Sequence, residues 1–245
     1  MKLLPPPLPA IILDPIVRLA LSEDLGRAGD LTTDATIAPE TQLSVVIAAR
    51  QPGVIAGLDA AAHALTLIDP SVELDVQMDD GTAVKPGDVV ARLDGSARSI
   101  LTAERTMLNF IGRLSAVATM TRNYVAKISH TSATIVCTRK TTPGHRALEK
   151  RAVRCGGGTA HRYGLDDAIL IKDNHIAACG GSVALALERA KAYAGHLRMI
   201  EIEVDTLDQF AEALKHGPHA VLLDNMDTDT LRRAVEMNQG RVTLE

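Results

Sequence analysis

AILIKDNHIAACGGSVALALERAKAYAGHLRMIEIEVD, residues Ala168–Asp205, holds one full cycle of the pattern that decides the fold. A short apolar run, Ala168–Lys172, leads to a helical pattern over Val183–Ala194, and a second apolar run, Met199–Val204, follows. Strands separated by a helix-length crossover lie parallel. The cycle continues with a helix over Leu207–His216, a strand over Ala220–Asp224, a helix over Thr228–Met237 and a strand over Arg241–Glu245. Upstream, Thr134–Lys140 reads as a strand and Arg146–Arg154 as a helix. No repeat in the residues themselves accompanies this regularity.

Each of these strands ends in charge: Arg139-Lys140, Lys172, Glu201 and Glu203, Asp224, and Glu245. One such charge merely marks where a strand emerges into water. Its recurrence at every strand end favours a shared polar site, because parallel α/β barrels carry their catalytic groups at the carboxyl ends of the strands. The expected fold is therefore α/β, with a parallel barrel in the C-terminal half.

The N-terminal half has another texture. Asp14-Pro15 has the form of an N-cap with proline at the first helical position, Ile16, Leu19 and Ala20 supply a stripe, and Gly26 can end the helix. Gln42–Arg50 suggests a strand, and Val72–Met78 alternates apolar with polar residues as a half-buried strand does. Asp80-Gly81 and Pro86-Gly87-Asp88 are turn signals. A helix over Ser99–Ile128 is long enough that it either breaks or bridges two domains. The expected division is an N-terminal domain over residues 1–128 and a barrel domain carrying the active site over 129–245.

Composition narrows the function. The 245 residues include no Trp, 2 Phe and 3 Tyr, so the core is aliphatic and exposed stacking rings for single-stranded nucleic acid are scarce. A net charge of −4 gives no global attraction to polyanions, so positive charge for an anionic ligand has to be concentrated locally. Cys137, Cys155 and Cys179 form no CxxC pair and read as reduced thiols. Met1–Pro9 carries prolines but no signal-peptide core. Around Leu101–Ile128 the apolar run is interrupted by Glu104, Arg105, Arg113, Arg122 and Lys127, which excludes a membrane span. The expectation is a cytoplasmic protein without membrane or nucleic-acid partners.

The densest stretch is TRKTTPGHR, Thr138–Arg146. Two cations at a strand end, then hydroxyls and a Pro-Gly turn, suit an anion: Arg offers a planar fork to a carboxylate and Lys a compact charge to a phosphate. The alternative is a solvated basic turn. Gly156-Gly157-Gly158 lets backbone approach something closely, but matches neither a Walker loop nor GxGxxG. His161-Arg162 follows, either as structural groups or as ligands. Asp173 and His175 permit a metal but lack a third ligand at a diagnostic spacing. Glu201 and Glu203 share a strand face and, if buried, need cations, a metal or hydroxyls. With Asp224 they make an acidic cluster beside Arg and Lys, which suits a magnesium-bound polyphosphate and a sugar.

TRKTTPGHRALEK (Thr138–Lys150), GGGTAHRYGLDD (Gly156–Asp167), LIKDNHI (Leu170–Ile176), IEIEVD (Ile200–Asp205) and LLDNM (Leu222–Met226) resemble the carboxylating nicotinate-nucleotide pyrophosphorylases, or quinolinate phosphoribosyltransferases. The likeness extends through Glu23-Asp24, Gly29–Thr33 and Leu101–Arg105, covering nearly the whole chain in the family's order. The resemblance implies an N-terminal α/β sandwich domain, an incomplete α/β barrel, and a homodimer or larger assembly. It implies that Arg139, His161, Arg162 and Lys172 hold the two carboxylates of quinolinate, with Arg105 contributed from a neighbouring subunit. Lys140 and Lys172 would face the phosphates of phosphoribosyl pyrophosphate. Glu203 and Asp224 would face the ribose hydroxyls and Mg2+, directly or through water, and Glu201 is the weaker choice. Lys140, Lys172, Glu203 and Asp224 are thus the expected catalytic set, making nicotinate mononucleotide for NAD biosynthesis.

Ala160, His145 and Arg151 depart from that pattern, where Asn, a bulkier apolar residue and Tyr are common. None removes an implied ligand. By the same resemblance a Ser-Gly-Gly turn and a further strand–helix unit that seat the 5′-phosphate would follow Glu245, so this stretch alone is expected to be weakly active. The rival readings are a related pyrophosphorylase-like protein found with molybdate transport genes, and a non-catalytic anion-binding module. Arg105, Arg139 and His161-Arg162 favour quinolinate.

Overall fold

The computed structural model describes residues 5–245; residues 1–4, the start of the proline-rich arm, lie outside the described residues. The chain forms two compact units, Met1–His161 and Arg162–Glu245. In chain order the first holds α1 (Ala10–Leu25), α2 (Leu31–Thr36), β1 (Gln42–Ala48), β2 (Gly53–Val54), α3 (Leu58–Ile68), β3 (Glu73–Val76), β4 (Ala83–Val84), β5 (Val89–Ser96), α4 (Ala97–Lys127) and α5 (Arg146–Cys155). The second holds β6 (Ile169–Ile171), α6 (Asp173–Ala178), α7 (Val183–Tyr193), β7 (Ile200–Val204), α8 (Leu207–His216), β8 (Ala220–Leu223), α9 (Thr228–Asn238) and β9 (Thr243–Leu244).

In the first unit an antiparallel sheet of order β1-β5-β3 packs with α3 and α4 around one apolar cluster. Small residues line this packing: Ala60, Ala61 and Ala64 of α3 and Ala103 of α4 are all essentially inaccessible. The 31-residue α4 does not break, and at 1.5 Å per residue it runs for about 46 Å. It serves α3, α5 and β2 at once. Helix α5 also packs along it, and the compact units divide after His161.

Two local expectations are corrected. Helix α1 starts at Ala10, so Pro15 sits inside it instead of at its first position. Proline there forfeits one helical hydrogen bond. The buried stripe of Leu13, Val17 and Leu21 holds the helix regardless, while Asp14 serves Arg18 at 2.7 Å and His63 at 3.1 Å instead of capping. The strand expected over Thr134–Lys140 is reduced to a single parallel bridge, Val136 with Thr159. Its partner segment leaves the glycine run only at Thr159, so only one residue pair comes into register.

The second unit carries the expected parallel sheet, in the order β6-β7-β8-β9, and it stays open instead of closing into a barrel. Strand β7 is buried along its length. Ile200, Ile202 and Val204 join Val221, Phe210 and Leu187 in the core, and Glu201 and Glu203 take the other face. Ser182, Thr206 and Asp227 cap α7, α8 and α9 by accepting from the third backbone N–H beyond. None of the helices of the described residues is long and apolar enough to cross a membrane.

The glycine run has a packing explanation. A Cβ on Gly156 would lie 2.3 Å from the Ala118 carbonyl oxygen and 2.6 Å from the Thr121 Cβ, and one on Gly158 would meet Thr121 and Val153 below 3.0 Å. Gly157 has φ +92°. The close approach is thus to α4. Gly156→Ala is expected to lower stability by about 1–3 kcal/mol through overpacking against backbone that cannot move aside. Gly112→Ala, on exposed helix surface with nothing within 4 Å, should raise it by roughly 0.5–1 kcal/mol. Urea midpoints of the two variants should move in opposite directions; equal shifts would contradict this account.

Candidate active site

The basic turn is built around α5. Gly144 and His145 reverse the chain, and His145 stacks on Phe110 with ring centroids 6.4 Å apart, which explains a ring where the family resemblance leads one to expect an aliphatic side chain. Glu149, buried on the first turn of α5, then draws the loop back: its carboxylate accepts from the Thr142 amide at 3.2 Å, the Thr142 hydroxyl at 2.7 Å and Arg113 Nη2 at 3.1 Å. Arg146 Nε donates to the Thr141 hydroxyl at 3.2 Å. Lys140 is exposed, its amide donating to the Thr138 hydroxyl at 3.0 Å. The Arg139 Nε is buried without a hydrogen-bond partner among the described residues. A buried guanidinium N–H with no acceptor is costly unless something else supplies one.

Cys137 N donates to the Thr159 carbonyl at 3.1 Å, and Thr159 N to the Ile135 carbonyl at 2.8 Å. This pairing sets Arg139 three residues past one side of the bridge and His161 two residues past the other. Arg105 is exposed on α4 and makes no ion pair among the described residues.

In the second unit, Lys172 follows β6, Glu203 ends the buried face of β7, and Asp224 follows β8, so the three occupy the carboxyl ends of neighbouring parallel strands. Lys172 Nζ meets Glu203 Oε2 at 2.6 Å, giving the buried acid the cation it requires. Asp224 is half-buried, its amide donating to the Val204 carbonyl at 3.0 Å and its carboxylate accepting from Asn225 at 2.8 Å. Asn225 adopts φ 53°, which turns the chain sharply after β8. Arg162 precedes β6 in chain without regular structure, and its Nη1 donates at 3.4 Å to the Ala168 carbonyl just before that strand. The metal alternative at Asp173 and His175 has a structural explanation, since His175 Nδ1 accepts the Lys172 amide at 2.9 Å and Asp173 accepts the Asn174 amide at 2.7 Å.

Some residues escaped the sequence reading. Arg151, 10 % exposed, pairs with Asp80 and with Asp59 at 3.4 Å, and donates to the Pro6 carbonyl at 3.0 Å. Burial opposes the Arg151 charge, but these two carboxylates outweigh it and hold its pKa above the ordinary value. Neighbouring Cys155 is pushed by burial up to about 11, so its thiol stays protonated near neutral pH. Lys150, buried at 4 % exposure, and Glu149 are further such residues.

Residues 117–245 match the family model described as the quinolinate phosphoribosyl transferase C-terminal domain, and residues 30–115 match that of the N-terminal domain. The chain is 42% identical over 223 residues to a probable carboxylating nicotinate-nucleotide pyrophosphorylase of Bacillus subtilis, covering 91% of this chain and 76% of that protein. Its identity to the corresponding protein of Mycobacterium leprae is 43% over 230 residues, with 92% and 79% covered. The crystal structure of NadC from Streptococcus pyogenes superposes with a TM-score of 0.93 at 40% identity, covering 98% of this chain and 84% of that one.

Burial opposes the Glu149 charge, but the Thr142 hydroxyl and amide and the Arg113 guanidinium overcome it and hold the carboxyl below its ordinary range. A depressed folded-state pKa means that the stabilisation is present above the unfolded pKa and is lost as pH falls through the folded one. Glu149→Gln is therefore expected to cost about 1–2 kcal/mol near neutral pH. The gap to wild type should close on acidification through the carboxylate range. Urea unfolding at a series of pH values measures both, and a gap independent of pH would rule out the carboxylate charge as the clamp.

Proposed function

The chain belongs to the quinolinate phosphoribosyltransferase family, and from that membership we propose how its residues divide the work of the reaction. It is a phosphoribosyltransferase that joins quinolinate to phosphoribosyl pyrophosphate, releasing pyrophosphate and carbon dioxide and leaving nicotinate mononucleotide for NAD synthesis. The observation that best supports the assignment of residues is the Lys172–Glu203 pair, a cation and a buried acid at adjacent strand ends of a parallel sheet, at 2.6 Å.

Quinolinate carries two carboxylates, and Arg139, His161, Arg162 and Lys172 are the groups that hold them. The buried, partnerless Arg139 Nε is the donor with most to gain from an incoming carboxylate. Lys140 and Lys172 take the phosphates of the second substrate. As pyrophosphate departs, positive charge develops on the ribose, and Glu203 and Asp224 steady its hydroxyls. The ring nitrogen attacks the anomeric carbon as the carbon–pyrophosphate bond breaks. The resulting pyridinium stabilises the electron pair left on the adjacent ring carbon when its carboxylate leaves as carbon dioxide, and a proton from solvent then takes that position, so no organic cofactor is required.

Magnesium fits the donor chemistry of Glu203 and Asp224, which offer hard carboxylate oxygens, and Glu203 already shares its charge with Lys172. When bound with the pyrophosphate, magnesium supplies charge neutralisation to the leaving group. Arg105, exposed and outside any ion pair among the described residues, acts in the site of a second copy of the chain, which makes the working form a homodimer or a larger assembly. Free Cys137, Cys155 and Cys179 suit a reducing, cytoplasmic compartment.

The test is release of labelled carbon dioxide from quinolinate, dependent on phosphoribosyl pyrophosphate and magnesium. Arg139→Ala and Arg162→Ala should each remove one partner of a desolvated charge pair, about 2–5 kcal/mol. At about 1.36 kcal/mol per tenfold, that is roughly 30-fold to several-thousand-fold in kcat/KM. Lys140→Ala should weaken the phosphoribosyl pyrophosphate affinity instead. Calorimetric quinolinate affinity unchanged in both Arg variants would remove the carboxylate-clamp assignment.

A further inference from the structure

Lys150 lies on α5, four residues after Arg146, and is 4 % exposed. Its Nζ donates to the Cys137 sulfur at 2.9 Å and to the His161 carbonyl at 3.2 Å. No carboxylate among the described residues pairs with it. Burying an amine is costly, and an apolar side chain of similar length would fill the same space without that cost. What the amine adds is two directed bonds, and both go to segments that carry proposed quinolinate ligands. Cys137 precedes Arg139 by two residues, and the other acceptor belongs to His161 itself, next to Arg162.

Backbone pairing between these segments is short. It consists of the Cys137 amide on the Thr159 carbonyl and the Thr159 amide on the Ile135 carbonyl. Lys150 adds a side-chain tie from Cys137, which the backbone already pairs, to His161, two residues past Thr159. We infer that Lys150 is a positioning residue: it sets the spacing of the Arg139 and His161 segments and thereby the grip on the aromatic dicarboxylate. This rests on the function proposed above. A displacement of about 1 Å in such a grip can cost up to about a hundredfold in rate.

The experiment uses the full chain in two arms. In the free protein, hydrogen exchange of the Cys137 and Thr159 amides should accelerate at least tenfold in Lys150→Met, while α5 amides keep their protection. Unchanged exchange at those two amides overturns the tie, whatever the substrate. In the enzyme assay, Lys150→Met should raise the KM for quinolinate about tenfold or more. KM does not depend on how much of the protein is folded, so a purely structural role would leave it unchanged. Should Lys150→Met fail to fold, Cys137→Ala and Cys137→Ser replace it in both arms: alanine removes the acceptor, and serine restores one. Alanine is then expected to raise KM several-fold and serine to hold it near wild type. A wild-type KM in Lys150→Met or Cys137→Ala overturns the positioning role. A wild-type chain that never turns over quinolinate instead refutes the proposed function, and the exchange arm still decides the tie.

Discussion

The contact of Gly156 and Gly158 with Ala118 and Thr121 of α4 is the constraint on which the first unit is arranged. A helix that carries side chains at its last turn cannot come this close to another helix's carbonyls. With three glycines α5 can end against α4, and Arg122 Nε then bonds the Gly156 carbonyl at 3.1 Å. Where α5 ends decides where Thr159 starts, and Thr159 is the residue that pairs with Val136. The position of TRKTTPG thus follows from a close approach between two helices. From the same stretch of α4, Ser115 and Thr119 accept from the amides of Ala56 and Val54 at 3.0 and 2.9 Å, so the helix also fixes the start of α3.

Buried charge is the second organiser. Arg151 sits where the family resemblance leads one to expect Tyr, and a guanidinium in that place has to be answered. Asp80 answers it while also accepting the amides of Gly57 and Leu58, both at 3.2 Å, and Asp59 does so while accepting the amide of Leu8 at 3.0 Å. Removing either acid alone would leave an under-compensated buried cation. The substitution therefore stands on acids supplied from elsewhere in the chain, Asp59 in the first turn of α3 and Asp80 in the turn before β4.

The parallel strands and helices of the second unit were legible because each apolar run is short, bounded and followed by charge. Helix α8 begins and ends as read, and α7 and α9 differ by a residue. The Thr134–Lys140 run reads identically, yet lacks a ladder, because strand character is realised only if a partner comes into register, and the partner's position depends on the glycine contact. Pro15 misled for a related reason: burial of Leu13, Val17 and Leu21 overrides a local helix-start signal. The positions of Lys172, Glu203 and Asp224 at the carboxyl ends of parallel strands were readable from the apolar runs that precede them. Lys150 was not, although it stands in the quoted motif, because a lysine on an amphipathic helix reads as solvent-facing until its surroundings are known. Glu149 was hidden in the same way.

The asymmetry of the Lys172–Glu203 pair bears on how an acidic protein binds anions. Glu203 has a side chain 10% exposed on a strand buried throughout, whereas the Lys172 side chain is 45% exposed. The acid is thus held by its strand, and the lysine is the partner free to move. A half-exposed ion pair contributes little net stability, so a lysine drawn from it toward phosphate or carboxylate gives up little. The acid it leaves behind is then desolvated and charged, and it needs a donor or a cation in turn. Ribose hydroxyls and magnesium are such groups, and both arrive with phosphoribosyl pyrophosphate. On the proposed division of roles, binding of the anion and of the groups that compensate the acid is coupled through this one ion pair, so that a chain of net charge −4 concentrates positive charge where the substrate supplies its counterpart.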